Sequence, residues 1–126
     1  MQVLHLFERY LTGTMNWAFR LIDHCVAVEH SIAAPLFIDN PFRKARFDFW
    51  DSPFQRNLPK DEWSIPSSQH LATQLGMRSG YYNRYLLQQI KAKKPDILHA
   101  HFAGVGWQAL SLSKKAKLPL IVSFYG

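Results

Sequence analysis

Two histidines separated by one residue, His99 and His101, are the side chains of this sequence best suited to chemistry. On an extended strand, residues two apart project from the same face, so the two imidazoles would stand side by side. As metal ligands they would need a third and a fourth donor. The sequence offers neither a His-Glu-x-x-His helix nor a cysteine pair to supply them, so no metal or cofactor is expected. Buried and hydrogen-bonded, the same pair would be structural. Gly104 follows at the opening of a helical pattern. Tyr125 and Gly126 join a phenol to a residue that lets a ligand approach the backbone. With a pKa of about 10, a phenol can hydrogen-bond a hydroxyl at neutral pH but is a poor base. Near the front, Gly13 lies between Thr12 and Thr14. There, N–H groups at a helix opening can meet a ligand, although Thr14 as a plain helix cap explains the same residues.

The elements that must position these residues can be read from periodicity. In 94–126, KPDILHAHFAGVGWQALSLSKKAKLPLIVSFYG, Pro95 and Asp96 precede a short apolar run at 97–100. Val105, Ala109, Leu112 and Ala116 then recur at helical spacing. Lys114, Lys115 and Lys117 load the last turn, Pro119 stops it, and 120–122 is a second apolar strand. Two such strands joined by one helix make a parallel crossover unit.

The front has the same form. Residues 3–7 read as a strand interrupted by His5, and 8–13 as a loop. A helix capped by Thr14 should bury Met15, Phe19 and Ile22, and 25–31 reads as a strand holding a buried Cys25. Pro35 and Pro41 bracket a stretch that suits a short edge strand or a loop, and 47–50 reads as a third strand. Pro53, Pro59 and Pro66 argue against long elements in 51–66. Ser67 or Ser68 can open a helix containing Leu71 and Leu75 and closed by Gly76. A further helix over 79–93 carries Tyr82, Leu86 and Ile90 on one face. The alternation predicts an α/β fold, a Rossmann-like three-layer sandwich with a mainly parallel sheet. Ligands of such sheets bind beyond the carboxyl ends of the strands, where 8–14, 99–106 and 124–126 all arrive.

The HAHF at 99–102 with Gly104, the helix after it, and LIVSFYG at 120–126 resemble the N-terminal domain of group 1 (family 4) glycosyltransferases, which have the two-domain GT-B fold. VLHLFERYLTGTMNW at 3–17 resembles that family's first strand and the loop over its cleft. The resemblance covers 1–31 and 94–126 and fades between them. It implies that residues 1–126 are part of an N-terminal, acceptor-side domain, incomplete on its C-terminal side and without the donor-binding domain. It further implies a nucleotide-sugar donor and a saccharide or lipid-linked acceptor. Transfer would proceed with retention, in cell-surface polysaccharide or glycolipid synthesis. Gly13, Thr14, His101, Gly104, Tyr125 and Gly126 would border the cleft, with His99 packed within the sheet. No catalytic residue is assigned. Many relatives have His where this chain has Tyr125, so that histidine's role is not carried over.

Composition excludes several other classes. Nearly half of the 126 residues are apolar (48%), which argues against disorder and suits one domain with one core. No apolar run approaches the roughly 20 residues of a spanning helix, and the N-terminus does not read as a signal peptide. A lone Cys25 rules out an intrachain disulfide and suits a reducing cytoplasm. The net charge of +6 gathers at Arg43, Lys44 and Arg46, at Lys91, Lys93 and Lys94, and at Lys114, Lys115 and Lys117. The last two groups fall at predicted helix ends, where cations complement the dipole. The resemblance adds peripheral contact with anionic lipid at the inner face of the membrane. Nucleic-acid binding is not expected, because no recognition motif accompanies the charge. A dehydrogenase is disfavoured by the lack of a GxGxxG after the first strand. The alternative to an enzyme is a stand-alone Rossmann-like binding domain with a basic surface.

Overall fold

Alternation along the first strand decides the layering. In the computed structural model, which describes residues 1–10, 16–39 and 47–125, strand β1 (Gln2–Leu6) turns Leu4 and Leu6 to one face and His5 to the other. Strand β3 (Glu29–Ala33) pairs with it on one side and β6 (Ile97–His101) on the other, both parallel. Beyond them lie β5 (Asp48–Phe49) and β7 (Leu120–Ser123). The product is an all-parallel five-stranded sheet in the order β5-β3-β1-β6-β7, the Rossmann-like α/β arrangement that the alternation predicts.

Each face finds its own helices. Leu4, Leu6, Leu98 and Ala100 pack with Leu86 and Ile90 of α3 (Tyr81–Lys93) and with Ala109 and Leu112 of α4 (Ala103–Ala116). On the other face Ile32 and Phe7 pack with Ala18 and Ile22 of α1 (Asn16–His24). Removing the leucine, isoleucine and phenylalanine side chains among them from water is worth about 1.5–3 kcal/mol each. Gly106 permits the close approach of α4 to the sheet, because a Cβ there would stand 2.6 Å from Val122 Cγ1. Among the described residues, no helix is long and apolar enough to cross a membrane.

Several local expectations are corrected. Residues 8–13 include a two-residue strand, β2 (Arg9–Tyr10), paired parallel with β4 (Leu36–Phe37). Elements this short leave no periodic trace. Gly76 does not close α2 (Ser67–Arg78) but lies buried inside it, beneath the Phe54 ring. The left-handed turn falls instead at Gly80, φ 79°, between α2 and α3. The helix does contain Leu71 and Leu75, as expected, and both are exposed. Cys25 is exposed rather than buried, since β3 begins only at Glu29. Ala18 and Ile22 form the buried face of α1, Phe19 is half-buried, and Met15 lies outside the described residues.

The lysines fall where the dipole argument puts them, with Lys91 and Lys93 in the last turn of α3 and Lys114 and Lys115 in that of α4. Both helices lead directly into the amino end of a strand, so these charges stand at the amino edge of the sheet. The carboxyl edge, where open parallel sheets commonly hold ligands, is the opposite one. Arg43, Lys44 and Arg46 lie outside the described residues.

Candidate functional site

The strand β6 ends on His101 and α4 begins at Ala103, leaving one residue, Phe102, to make the turn. Phe102 does so at φ 80° and ψ 148°, a region that costs a side-chain-bearing residue about 1–3 kcal/mol. Backbone bonds on either side hold it there. Its N–H donates to the Ser123 carbonyl at 2.9 Å, and the Gly106 N–H donates to the Phe102 carbonyl at 3.0 Å. This elbow stands at the topological switch point. β1 and β6 are neighbours, and from them the sheet is built outward in opposite directions. The crevice beyond the carboxyl ends at such a point is the usual ligand site of open parallel sheets.

A file of hydrogen-bonded rings runs inward from the elbow. The Tyr125 hydroxyl is 2.9 Å from His101 Nδ1. His101 Nε2 is 2.9 Å from His5 Nδ1, and His5 Nε2 is 2.9 Å from His30 Nδ1. His30 Nε2 ends the file 2.6 Å from the Cys25 carbonyl. The parallel register explains the assembly, since His5 pairs with His99 while His30 and His101 lie on the same face of flanking strands. His5, His30 and His101 are buried and His99 is half-buried, its Nε2 2.7 Å from Ser123 Oγ.

The far end dictates the direction of the protons. A carbonyl only accepts, so His30 donates through Nε2 and must accept at Nδ1. With one proton per imidazole, His5 then donates through Nε2 to His30, His101 through Nε2 to His5, and the Tyr125 hydroxyl to His101 Nδ1. The outward-facing capacity of Tyr125 is therefore its oxygen lone pairs. Burial, reinforced by neighbouring imidazoles, keeps His5 and His101 neutral. The His5 pKa is lowered to about 2, by desolvation first and then by His101, His99 and His30. That of His101 is lowered to about 3, by desolvation and then His99, and desolvation also lowers that of His99.

Apolar rings fix the file laterally. Phe7 stacks on His101 at 4.3 Å, and Trp17 of α1 meets Tyr125 at 4.4 Å between centroids. Elsewhere on the carboxyl edge, a polar cavity of about 170 Å³ opens between the ends of β1 and β3 and the helices α2 and α4. Glu8, Arg9, His70, Gln74, Arg78 and Gln108 line it, a set suited to a hydroxylated or anionic ligand. A larger hollow of about 540 Å³ is walled by the 54–69 segment and touches no strand, so it stands apart from this edge.

Of the predicted cleft residues, His101 and Tyr125 are brought into direct contact. Gly104 sits exposed in the first turn of α4, with open space where a Cβ would be. Gly13, Thr14 and Gly126 lie outside the described residues. His99 lies in the sheet but remains half-exposed beside Ser123. Sequence reasoning missed His5 and His30 as partners. The available signal was a polar residue inside the apolar run of each strand, uninformative until the register is known. His5 also supplies the third imidazole that the spacing of His99 and His101 lacked, because one nitrogen from each of the three rings lies within 4.8 Å of the others. Compared with known protein families and with curated proteins, the chain matches none.

Proposed function

We propose that this chain is the N-terminal, acceptor-side domain of a glycosyltransferase that moves a sugar from a nucleotide donor to a saccharide or lipid-linked acceptor, with retention. The observation that carries the reading is the His101–Tyr125 pair at the switch point of a parallel sheet, on the two motifs that resemble the glycosyltransferase family. Tyr125, held by His101, offers lone pairs to a sugar hydroxyl. The polar cavity beside Arg9 and Arg78 offers further partners for a hydroxylated acceptor. Neither group is a strong base at neutral pH, so the contribution of this domain is orientation and exclusion of water. Stabilisation of the departing diphosphate belongs, in the resembled family, to the second domain. The isolated chain should therefore bind without turnover. Work at the inner face of the membrane, on a lipid-linked acceptor, fits the same reading.

The test is a transfer assay on the natural full-length polypeptide that contains this chain, with a panel of labelled nucleotide-sugars and membrane glycolipid extract as acceptor. Label should pass to the acceptor, and Tyr125→Phe should raise the acceptor KM more than it lowers kcat. The proposal fails if no donor is consumed, or if the reading frame closes without a donor-binding domain.

A further inference from the structure

Three imidazoles from two adjacent strands come close together, and His5 and His101 each have a second partner on the far ring nitrogen. His5 and His99 are direct cross-strand neighbours, and His101 follows His99 on the same face. One nitrogen from each lies within 4.8 Å of the other two. In a tetrahedral site with metal–nitrogen bonds near 2.0–2.1 Å, ligand nitrogens stand roughly 3.3 Å apart. His5 Nδ1 and His101 Nε2, at 2.9 Å, are already closer than that. The His99 and His101 rings stack at 4.2 Å, 28° from parallel, so His99 must swing about its broad χ2 well to aim at the shared point.

We propose that His5, His99 and His101 form a three-imidazole site for one borderline divalent cation of the zinc or cobalt type, with its fourth position open. Imidazole donors select such ions over magnesium or calcium, which prefer oxygen. Metal-binding histidines ordinarily carry a polar partner on the ring nitrogen away from the metal. His5 has His30, itself anchored on the Cys25 carbonyl, and His101 has the Tyr125 hydroxyl. Half-exposed His99 supplies an entry path, which His5 and His101 lack.

Occupancy would have a consequence at the rim. A cation between His5 Nδ1 and His101 Nε2 replaces the proton shared there, and His101 must then carry its proton on Nδ1. Tyr125 becomes the acceptor from His101, and its own O–H turns outward. The metal would convert the outward-facing capacity of the rim phenol from acceptor to donor.

The experiment is a titration of the metal-free chain with Co²⁺, followed by visible absorption and by competition with Zn²⁺. One ion per chain is expected, with the absorption of a four-coordinate nitrogen-ligated centre that Zn²⁺ abolishes. His99→Ala should weaken binding at least about tenfold, whereas His24→Ala, at an exposed histidine outside the cluster, should leave it unchanged. His99 is half-exposed, so its substitution is compatible with folding, which circular dichroism verifies. Independently of any variant, ¹⁵N spectra of the histidine rings should show the His101 proton pass from Nε2 to Nδ1 when Zn²⁺ is added. Lack of stoichiometric binding by the folded chain, equal affinity in His99→Ala, or an unchanged His101 tautomer would each overturn the site.

Discussion

The Tyr125 hydroxyl donates to His101 Nδ1 across 2.9 Å, joining the ends of two neighbouring strands through side chains rather than backbone. Its direction is imposed from the far end of the ring file, by a carbonyl that can only accept. In the metal-free chain, His5, His30 and His101 should all be Nε2–H tautomers, a pattern long-range ¹H–¹⁵N correlation spectra read directly. A single Nδ1–H among the three would break the deduction. Tyr125→Phe should cost only about 0.5–1 kcal/mol in urea unfolding, because the rim is open enough for water to replace the phenol.

The same burial makes stability depend on pH. The folded-state pKa values of His5 and His101 lie at about 2 and about 3, below the ordinary value of 6.5. The unfolded chain therefore binds protons in this window that the folded one does not, and stability falls as pH falls below 6.5. At about 1.4 kcal/mol per pH unit for each group, going from pH 7 to pH 5 should cost about 2 kcal/mol per histidine. Above pH 7 the contribution is complete and the urea midpoint should be flat. Equal midpoints at pH 5 and pH 7 would show that the file accepts a proton while folded.

Two glycines of one helix should respond in opposite ways. A methyl at Gly104 meets open space, so Gly104→Ala should stabilise the chain by about 0.5–1 kcal/mol through helix propensity. At Gly106 it would collide with Val122, and Gly106→Ala should cost about 1–3 kcal/mol. Thermal unfolding of the two variants checks this. Destabilisation by Gly104→Ala would mean that the first turn of α4 packs against something further.

The sheet was legible because its signals are local. The spacing of Val105, Ala109, Leu112 and Ala116 marked α4, of which Ala109 and Leu112 are fully buried. Pro119 and the apolar run after it marked β7. The ring file was not legible, since it depends on which residue of β1 sits opposite which residue of β3 and β6. A shift of one position would have turned His5 to the opposite face. His101 could be placed at a strand end, but its partners came from residues 96 and 24 positions away. Cys25 misled for a related reason: its stretch is apolar enough for a strand, yet the pairing starts four residues later at Glu29.

Strand β7 is an edge strand of the described sheet, paired only with β6. Ile121 is 50% exposed on it and Phe124 just beyond is 75% exposed, with Leu21 of α1 at 54%. Ile121 lies on the same face as His99, its register partner, so the apolar surface continues toward the ring file. An unpaired, apolar and uncharged edge is a template for another chain. Sedimentation velocity of the 126-residue chain should show self-association growing from about 10 µM to about 500 µM. Ile121→Lys should suppress it by placing a charge on the edge, at a stability cost of no more than about 0.5 kcal/mol for so exposed a position. A monomer across the whole range, or association untouched by Ile121→Lys, would remove β7 as the contact.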